Sequence, residues 1–175
     1  MGKARRIFAV DPGSKFVGWA VLDPGDRLVA AGAIEAKGRL FVRLGVIFRA
    51  FGRLLKEHAN PADEVDVVFE RAVLFGHKGD RGGGSIPSIE ARGALLAALS
   101  EHGVDRRFFE YNASQMKKAV TGKGNAEKAV VRAQILREYP AFVDEAVSWP
   151  LDVTDAIGLG ICHSVRARVS AECWA

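Results

Sequence analysis

Ile7-Phe8-Ala9-Val10-Asp11-Pro12-Gly13-Ser14 is an apolar run, β-branched at both ends, stopped by an Asp-Pro-Gly turn signal. It reads as a short strand. Val17 to Leu22 reads as a second strand, ending in Asp23-Pro24-Gly25-Asp26, and Leu28 to Ile34 as a third. Tight turns between three neighbouring strands predict an antiparallel meander. The period then changes. Leu40, Leu44, Ile47, Phe48, Phe51, Leu54 and Leu55 recur at steps of three and four, so Leu40 to His58 is an amphipathic helix. Arg39, Arg43, Arg49, Arg53 and Lys56 fill its polar side, which reads first as a solvated face and second as a surface for nucleic acid.

Val65 to Phe69 is densely apolar, the pattern of a strand buried on both faces, and it delivers Glu70 at its end. Gly76 to Ser85 is a glycine-rich basic loop. Ile89 to His102 is a helix packed through Ala91, Ala94, Leu95, Ala98 and Leu99. Arg107 to Tyr111 is a strand, and Ser114 to Val120 a short helix closed by Gly122. Ala126 to Tyr139 is a helix with Asn125 as its N-cap. The last helix runs from Leu151 to Val169, with Pro150 near its first turn. The order predicts an α/β fold with one central mixed sheet.

The chain has 175 residues, 49% hydrophobic and 26% charged, which excludes wholesale disorder and fits a single domain over residues 1–175. That length is too short for two full α/β lobes around a nucleotide cleft, and no GxxxxGK[ST] loop is present, so a nucleotide cofactor is not expected. The net charge of +4 permits nucleic-acid binding without requiring it. Cys162 and Cys173 have neither zinc spacing nor a disulfide framework. No run approaches about 18 apolar residues, and the basic start lacks a signal peptide's apolar region, so the expected location is the cytoplasm, with no membrane partner.

Four acids stand beside apolar sequence at element ends. Asp11 and Glu70 each end a strand, and Asp152 and Asp155 share one face of the last helix. Each has a plain structural reading. Asp11 can be a turn former, Glu70 can pair with Arg71, and Asp152 and Asp155 can complement a helix dipole. Taken together, two strand ends and one helix terminus can converge, and clustered carboxylates need protons or cations. Oxygen-only ligands select a hard cation, Mg²⁺ or Mn²⁺. Two such ions about 4 Å apart can clamp the attacking and leaving oxygens of a phosphodiester displacement.

Ile7 to Ser14 followed by Gly18-Trp19-Ala20-Val21 resembles the opening of RuvC-type Holliday junction resolvases. Phe69-Glu70 falls where that family has its second acid. Tyr111-Asn112-Ala113-Ser114-Gln115-Met116-Lys117-Lys118 and Gly122-Lys123-Gly124-Asn125-Ala126-Glu127-Lys128 are similar to its most distinctive stretch. Asp152-Val153-Thr154-Asp155-Ala156, continuing to His163, is similar to its closing acidic helix. The resemblance covers nearly the whole chain in order. It implies a ribonuclease-H-like fold with a five-stranded sheet, three strands antiparallel and the rest parallel, flanked by helices. It also implies a homodimeric endonuclease of recombination and repair, which nicks a four-way DNA junction symmetrically and leaves 5′-phosphate and 3′-hydroxyl ends.

Carried over position by position, the resemblance makes Asp11, Glu70, Asp152 and Asp155 the ligands of two Mg²⁺ ions, with Mn²⁺ as a substitute. It makes Lys117 and Lys128 the basic residues near the scissile phosphate. Lys118 and Lys123 join them as candidate DNA contacts. One departure is visible. Three positions after the second acid the family often has an aromatic residue that stacks on a junction base, and here Val73 stands there. Phe75 is the expected replacement wedge, with Lys78 and Arg81 as loop contacts to DNA. That departure keeps two alternatives open, a nuclease relaxed toward flaps and forks and a module that holds branched DNA without cutting. The small residues of Ile89 to His102 make that helix the candidate dimer interface. His163 and Cys162 read as structural residues.

Overall fold

The computed structural model describes residues 5–59, 64–72, 86–103 and 107–172, with side chains described to residue 168. The strands are β1 (Arg6–Asp11), β2 (Phe16–Asp23), β3 (Arg27–Glu35), β4 (Val65–Glu70) and β5 (Phe108–Tyr111). The helices are α1 (Leu40–His58), α2 (Ile86–Glu101), α3 (Ala113–Thr121), α4 (Lys128–Glu138), the short α5 (Val143–Ala146) and α6 (Leu151–Glu172). One five-stranded sheet has the order β3-β2-β1-β4-β5. β1 pairs antiparallel with β2, and β2 with β3; β1 pairs parallel with β4, and β4 with β5. This is the single central sheet expected from the order of elements, with the antiparallel and parallel strands that the family resemblance implies.

Side chains alternate across a pleated strand, and this alternation divides the core in two. Phe8, Val10, Val17, Val21, Val67 and Phe69 face α1 and α2. Ile7, Ala9, Ala20, Leu22 and Val68 face α3, α4 and α6. Because β1 and β4 are covered on both sides, they read as dense apolar runs, interrupted in β4 by Asp66. The same parity sends Asp11, Gly18, Asp66 and Glu70 to the α6 side. Gly158 and Gly160 let α6 lie close, since a Cβ there would stand 2.7 Å from Met116 Sδ and 2.4 Å from Leu22 Cδ1.

Two helix starts differ from the sequence reading by more than one residue. α2 begins at Ile86, three residues before Ile89. α4 begins at Lys128 with Glu127 at its N-cap, so Asn125 is not the cap. The residues before it make a turn of their own. Thr121 Oγ1 bonds Lys117 O at 2.8 Å and accepts from Lys123 N at 3.2 Å, and Ala126 N donates to Lys123 O. The polar side chain that does cap a helix is Asn112. It accepts from Gln115 N at 2.8 Å while Gln115 returns a bond to Asn112 N, a full capping box on α3.

The small residues of α2 divide between two faces. Ala91 and Ala98 are buried within the protomer, where α2 lies on α1, so they are not available to a second copy. Gly93, Ala97 and Ser100 face outward beside the exposed Leu96. Among the described residues no helix is long and apolar enough to cross a membrane. Cys162 is buried in the α6-side core, as expected.

Asp66 is a charged residue in the apolar run of β4, only 5% exposed. It is held by Arg107 and by His163 of α6, whose Nε2 lies 2.9 Å from Asp66 Oδ2. A carboxylate only accepts, so Nε2 donates to Asp66, and Nδ1 lies 2.8 Å from Tyr111 Oη. His163 is therefore structural, fixing α6 along its axis against β4 and β5. Burial pushes the Asp66 carboxyl up, but hydrogen bonds from His163 and Arg107 and the Arg107 charge outweigh it and hold the group below its ordinary range. A depressed carboxyl contributes stability above its unfolded value of about 3.9, lost as pH falls through the folded value. Asp66→Asn should cost about 2–4 kcal/mol at pH 7 and flatten the acid limb of stability below about pH 4. Urea titrations at pH 7 and pH 4 check this; equal stability of both proteins at pH 7 contradicts it.

Candidate active site

Asp11 is the last residue of β1, at the carboxyl end of a central strand, and is 7% exposed. Glu70 ends the adjacent parallel strand β4, so both acids leave the sheet at the same edge. The two carboxyls face each other closely enough for Glu70 to push the Asp11 carboxyl up, and no ion pair of Glu70 with Arg71 is seen among the described residues. Glu70 is further set by Arg92 of α2. The Arg92 guanidinium lies over the rings of Phe69 and Phe108, at 5.3 and 5.6 Å from their centroids. It donates to Glu70 O at 3.1 Å and to Glu110 Oε1 at 2.5 Å.

The other two acids come from the first turns of α6. Asp152 is half-buried and Asp155 is 5% exposed. Their approach to Asp11 depends on Gly18, the β2 residue paired with Asp11. A Cβ on Gly18 would lie 1.9 Å from Asp152 O and 2.7 Å from Val153 N. The start of α6 therefore rests directly on the backbone of β2. Gly13 adds a second close approach, since its Cβ would meet Phe16 O at 2.1 Å and Asp152 Oδ1 at 3.3 Å. The chain leading into α6 is held from α4, where Arg132 donates to Ala146 O and to Trp149 O, the latter at 3.3 Å.

The electrostatics show one centre. Burial pushes the Asp11 carboxyl well up, and the charge and hydrogen bond of Glu70, then Asp155 and Asp152, push it further. Burial also raises Asp152, against a pull from Lys128, with Asp155 adding to the rise. Lys128 Nζ stands 2.5 Å from Asp155 Oδ2. Burial alone lowers Lys128, but its bond to Asp155 and the charges of Asp155, Asp11 and Asp152 hold it above its usual value. Lys128 is thus the internal counter-ion of Asp155, Asp11 and Asp152. Among the described residues no three acids close into a ready-made metal cage. Like charges repel, and Lys128 takes one oxygen of Asp155. The donor set is nevertheless all oxygen, buried at Asp11 and short of positive charge, which fits a hard divalent cation.

The structure places the remaining expected residues less centrally. Lys117 is half-buried on α3, and among the described residues it makes no ion pair with the four acids. Lys118 is exposed on α3, and Lys123 is exposed in the turn before α4. Val73, Phe75, Lys78 and Arg81 lie outside the described residues. The sequence reading did not identify Gly18 or Arg92 as site-building residues. An isolated glycine inside a strand does signal close backbone approach, so Gly18 carried a usable sign. Arg92 carried none, because its aromatic neighbours come from two different strands.

A mixed sheet with acids at the carboxyl ends of its two central parallel strands, completed by acids from a helix crossing one face, defines a ribonuclease-H-like carboxylate nuclease. Residues 7–163 match the family model described as crossover junction endodeoxyribonuclease RuvC. The protein of that name from Methylococcus capsulatus is 34% identical over 161 residues, covering 90% of this chain and 89% of the relative. The one from Nitratidesulfovibrio vulgaris strain DP4 is 30% identical over 177 residues, covering 97% and 96%. The solved structure of Thermus thermophilus RuvC in complex with Holliday junction substrate superposes with a TM-score of 0.72 at 21% identity, covering 95% of this chain and 96% of that one. The chain belongs to the RuvC family of crossover junction endodeoxyribonucleases, and family membership implies divalent-metal-dependent DNA cleavage.

Proposed function

We propose that residues 1–175 act as a single nuclease domain that resolves four-way DNA junctions by paired symmetric nicks, leaving 5′-phosphate and 3′-hydroxyl ends. The observation that carries this reading is the meeting of Glu70, Asp152 and Asp155 at Asp11, with Lys128 beside Asp155, at one edge of the sheet. The four carboxylates would hold two Mg²⁺ ions, and Mn²⁺ would substitute for them. When bound, the ions supply Lewis-acid activation of water and stabilisation of the leaving 3′ oxygen.

The chain's own groups do the rest. Asp11 and Glu70, fixed by the sheet and by Arg92, set where the cations would sit and so where the scissile phosphate would be drawn in. Asp152 and Asp155 ride on a helix locked by Gly18 and His163, so the far side of the site keeps its geometry as DNA arrives. Lys128 is already charged and already close, and it offsets negative charge building on the phosphate oxygens. Lys117, Lys118 and Lys123 contribute contacts to the DNA backbone, which are blind to sequence and weakened by salt. The enzyme works as a homodimer, one protomer for each nick. The outward face of α2, with Gly93, Leu96, Ala97 and Ser100, is the interface.

The test is cleavage of a synthetic four-way junction in Mg²⁺ beside a flap and a plain duplex. Paired symmetric nicks confined to the junction are expected. Equal cutting of flap and junction would move the substrate to branched DNA in general, and tight binding without cutting in either metal would contradict the nuclease reading.

A further inference from the structure

We propose that a second anion site, apart from the four acids, holds a backbone phosphate of the DNA strand flanking the cut; this rests on the junction-nuclease reading. A cavity of about 240 Å³ lies where β2 begins and β3 ends. Lys15, Lys37 and Arg43 line it, together with Glu35 and Gly38. Glu35 is the single acid in this lining, and it is already paired with Lys37 at 3.0 Å. Among the described residues Lys15 and Arg43 have no ion-pair partner, and the first turn of α1 brings no acid. Arg43 Nε is buried with no acceptor among the described residues. A buried guanidinium N–H without an acceptor is costly in a finished site and is satisfied by an anionic oxygen.

The walls of the cavity are tied together. Ala36 N donates to Lys15 O at 2.8 Å, and Phe16 pairs with Glu35 across β2 and β3. Its place in the fold selects the ligand. β2 starts and β3 ends at the edge of the sheet where β1 ends in Asp11. Two strand spacings separate β3 from β1, about 10 Å. A nucleic-acid strand places one phosphate per about 3.4 Å of axial rise, so this strand-to-strand separation corresponds to roughly three nucleotides. The anion that fits both the cations and the position is a phosphodiester of the strand being nicked.

Binding is measured by fluorescence anisotropy over a salt series, with Asp11→Asn as the parent protein so that the DNA stays intact. Lys15→Ala and Arg43→Gln are compared with it. A second series uses junctions with one methylphosphonate linkage at each position within three nucleotides of the cut. Each variant is expected to flatten the slope of log affinity against log salt by about 1. One neutral linkage should weaken the parent and have no further effect in the variants. Lys15 is exposed, so its variant keeps the test valid if Arg43→Gln disturbs the fold. Unchanged slopes, or a neutral linkage that penalises parent and variants equally, would overturn the second site and leave the junction reading standing. A parent that binds no junction, with a wild-type protein that cuts none, would overturn both.

Discussion

Asp11→Asn is expected to reduce junction cutting by at least about 10³-fold while making the metal-free protein more stable. The two effects have one cause. Asp11 is buried, and after burial its largest burden is the facing carboxyl of Glu70, followed by Asp155 and Asp152. Its folded-state carboxyl therefore holds its proton to higher pH than in the unfolded chain. For a raised acid the folded state binds more protons, so stability is lost as pH rises from the unfolded value of about 3.9 through the folded one. At neutral pH the wild-type protein carries that cost, and asparagine keeps the shape without the charge. A gain of about 1–2 kcal/mol is expected in EDTA. Added Mg²⁺ should then raise the melting temperature of the wild type and leave the variant nearly unmoved, because only a ligand bound to the folded state stabilises it. Scanning calorimetry with EDTA and with Mg²⁺, beside a junction assay, reads all three effects. A fully active variant, or one that melts lower in EDTA, would overturn the assignment of Asp11.

Gly18→Ala is expected to lower activity strongly as well, although it adds one methyl group and touches no acid side chain. The new Cβ would sit 1.9 Å from Asp152 O, a backbone atom at the first turn of α6 that no side-chain rotation can move. Either β2 or the start of α6 must shift. The α6 register is held farther along by the His163–Asp66 bond, so the strain concentrates at Asp152 and Asp155. Overpacking against backbone costs about 1–3 kcal/mol or more. A displacement near 1 Å at a reacting centre costs about 10²-fold in rate. The expected result is a folded, destabilised protein with cutting lowered by about 10²-fold and a raised Mg²⁺ requirement. Urea unfolding and a Mg²⁺ titration of single-turnover cutting measure the two halves. Wild-type cutting by a folded Gly18→Ala protein would show that α6 does not depend on this contact.

The contrast between these positions shows how the site was legible. Asp11, Glu70, Asp152 and Asp155 could be chosen because acids at the ends of apolar elements are conspicuous. Their convergence is a consequence of strand parity and of parallel pairing between β1 and β4. Lys128 was chosen through family resemblance, and its 2.5 Å bond to Asp155 gives that choice a physical basis in this chain. Lys117 was chosen on the same ground, yet no such bond to the acids accompanies it. Asp66 was invisible because a lone acid in a buried strand is explained only by partners that lie far along the chain, Arg107 and His163. The α2 stripe misled in part, since helical periodicity identifies small residues without saying which of them the protomer itself covers.

The sequence by itself determined the succession of the five strands and of every helix but the short α5, the burial of β1 and β4 and the acids at their ends. Apolar spacing, turn residues and caps are local properties that act within a few residues. Only the tertiary structure decided that Gly18 must be bare for α6 to reach Asp11, that Arg92 fixes the end of β4, and that Asn125 yields its capping role to a turn ending at Glu127. It also decided that Lys15, Lys37 and Arg43 line one cavity. Each of these depends on packing between elements distant in sequence, where the close approach of backbones and the burial of charge are set by the whole sheet and its helices.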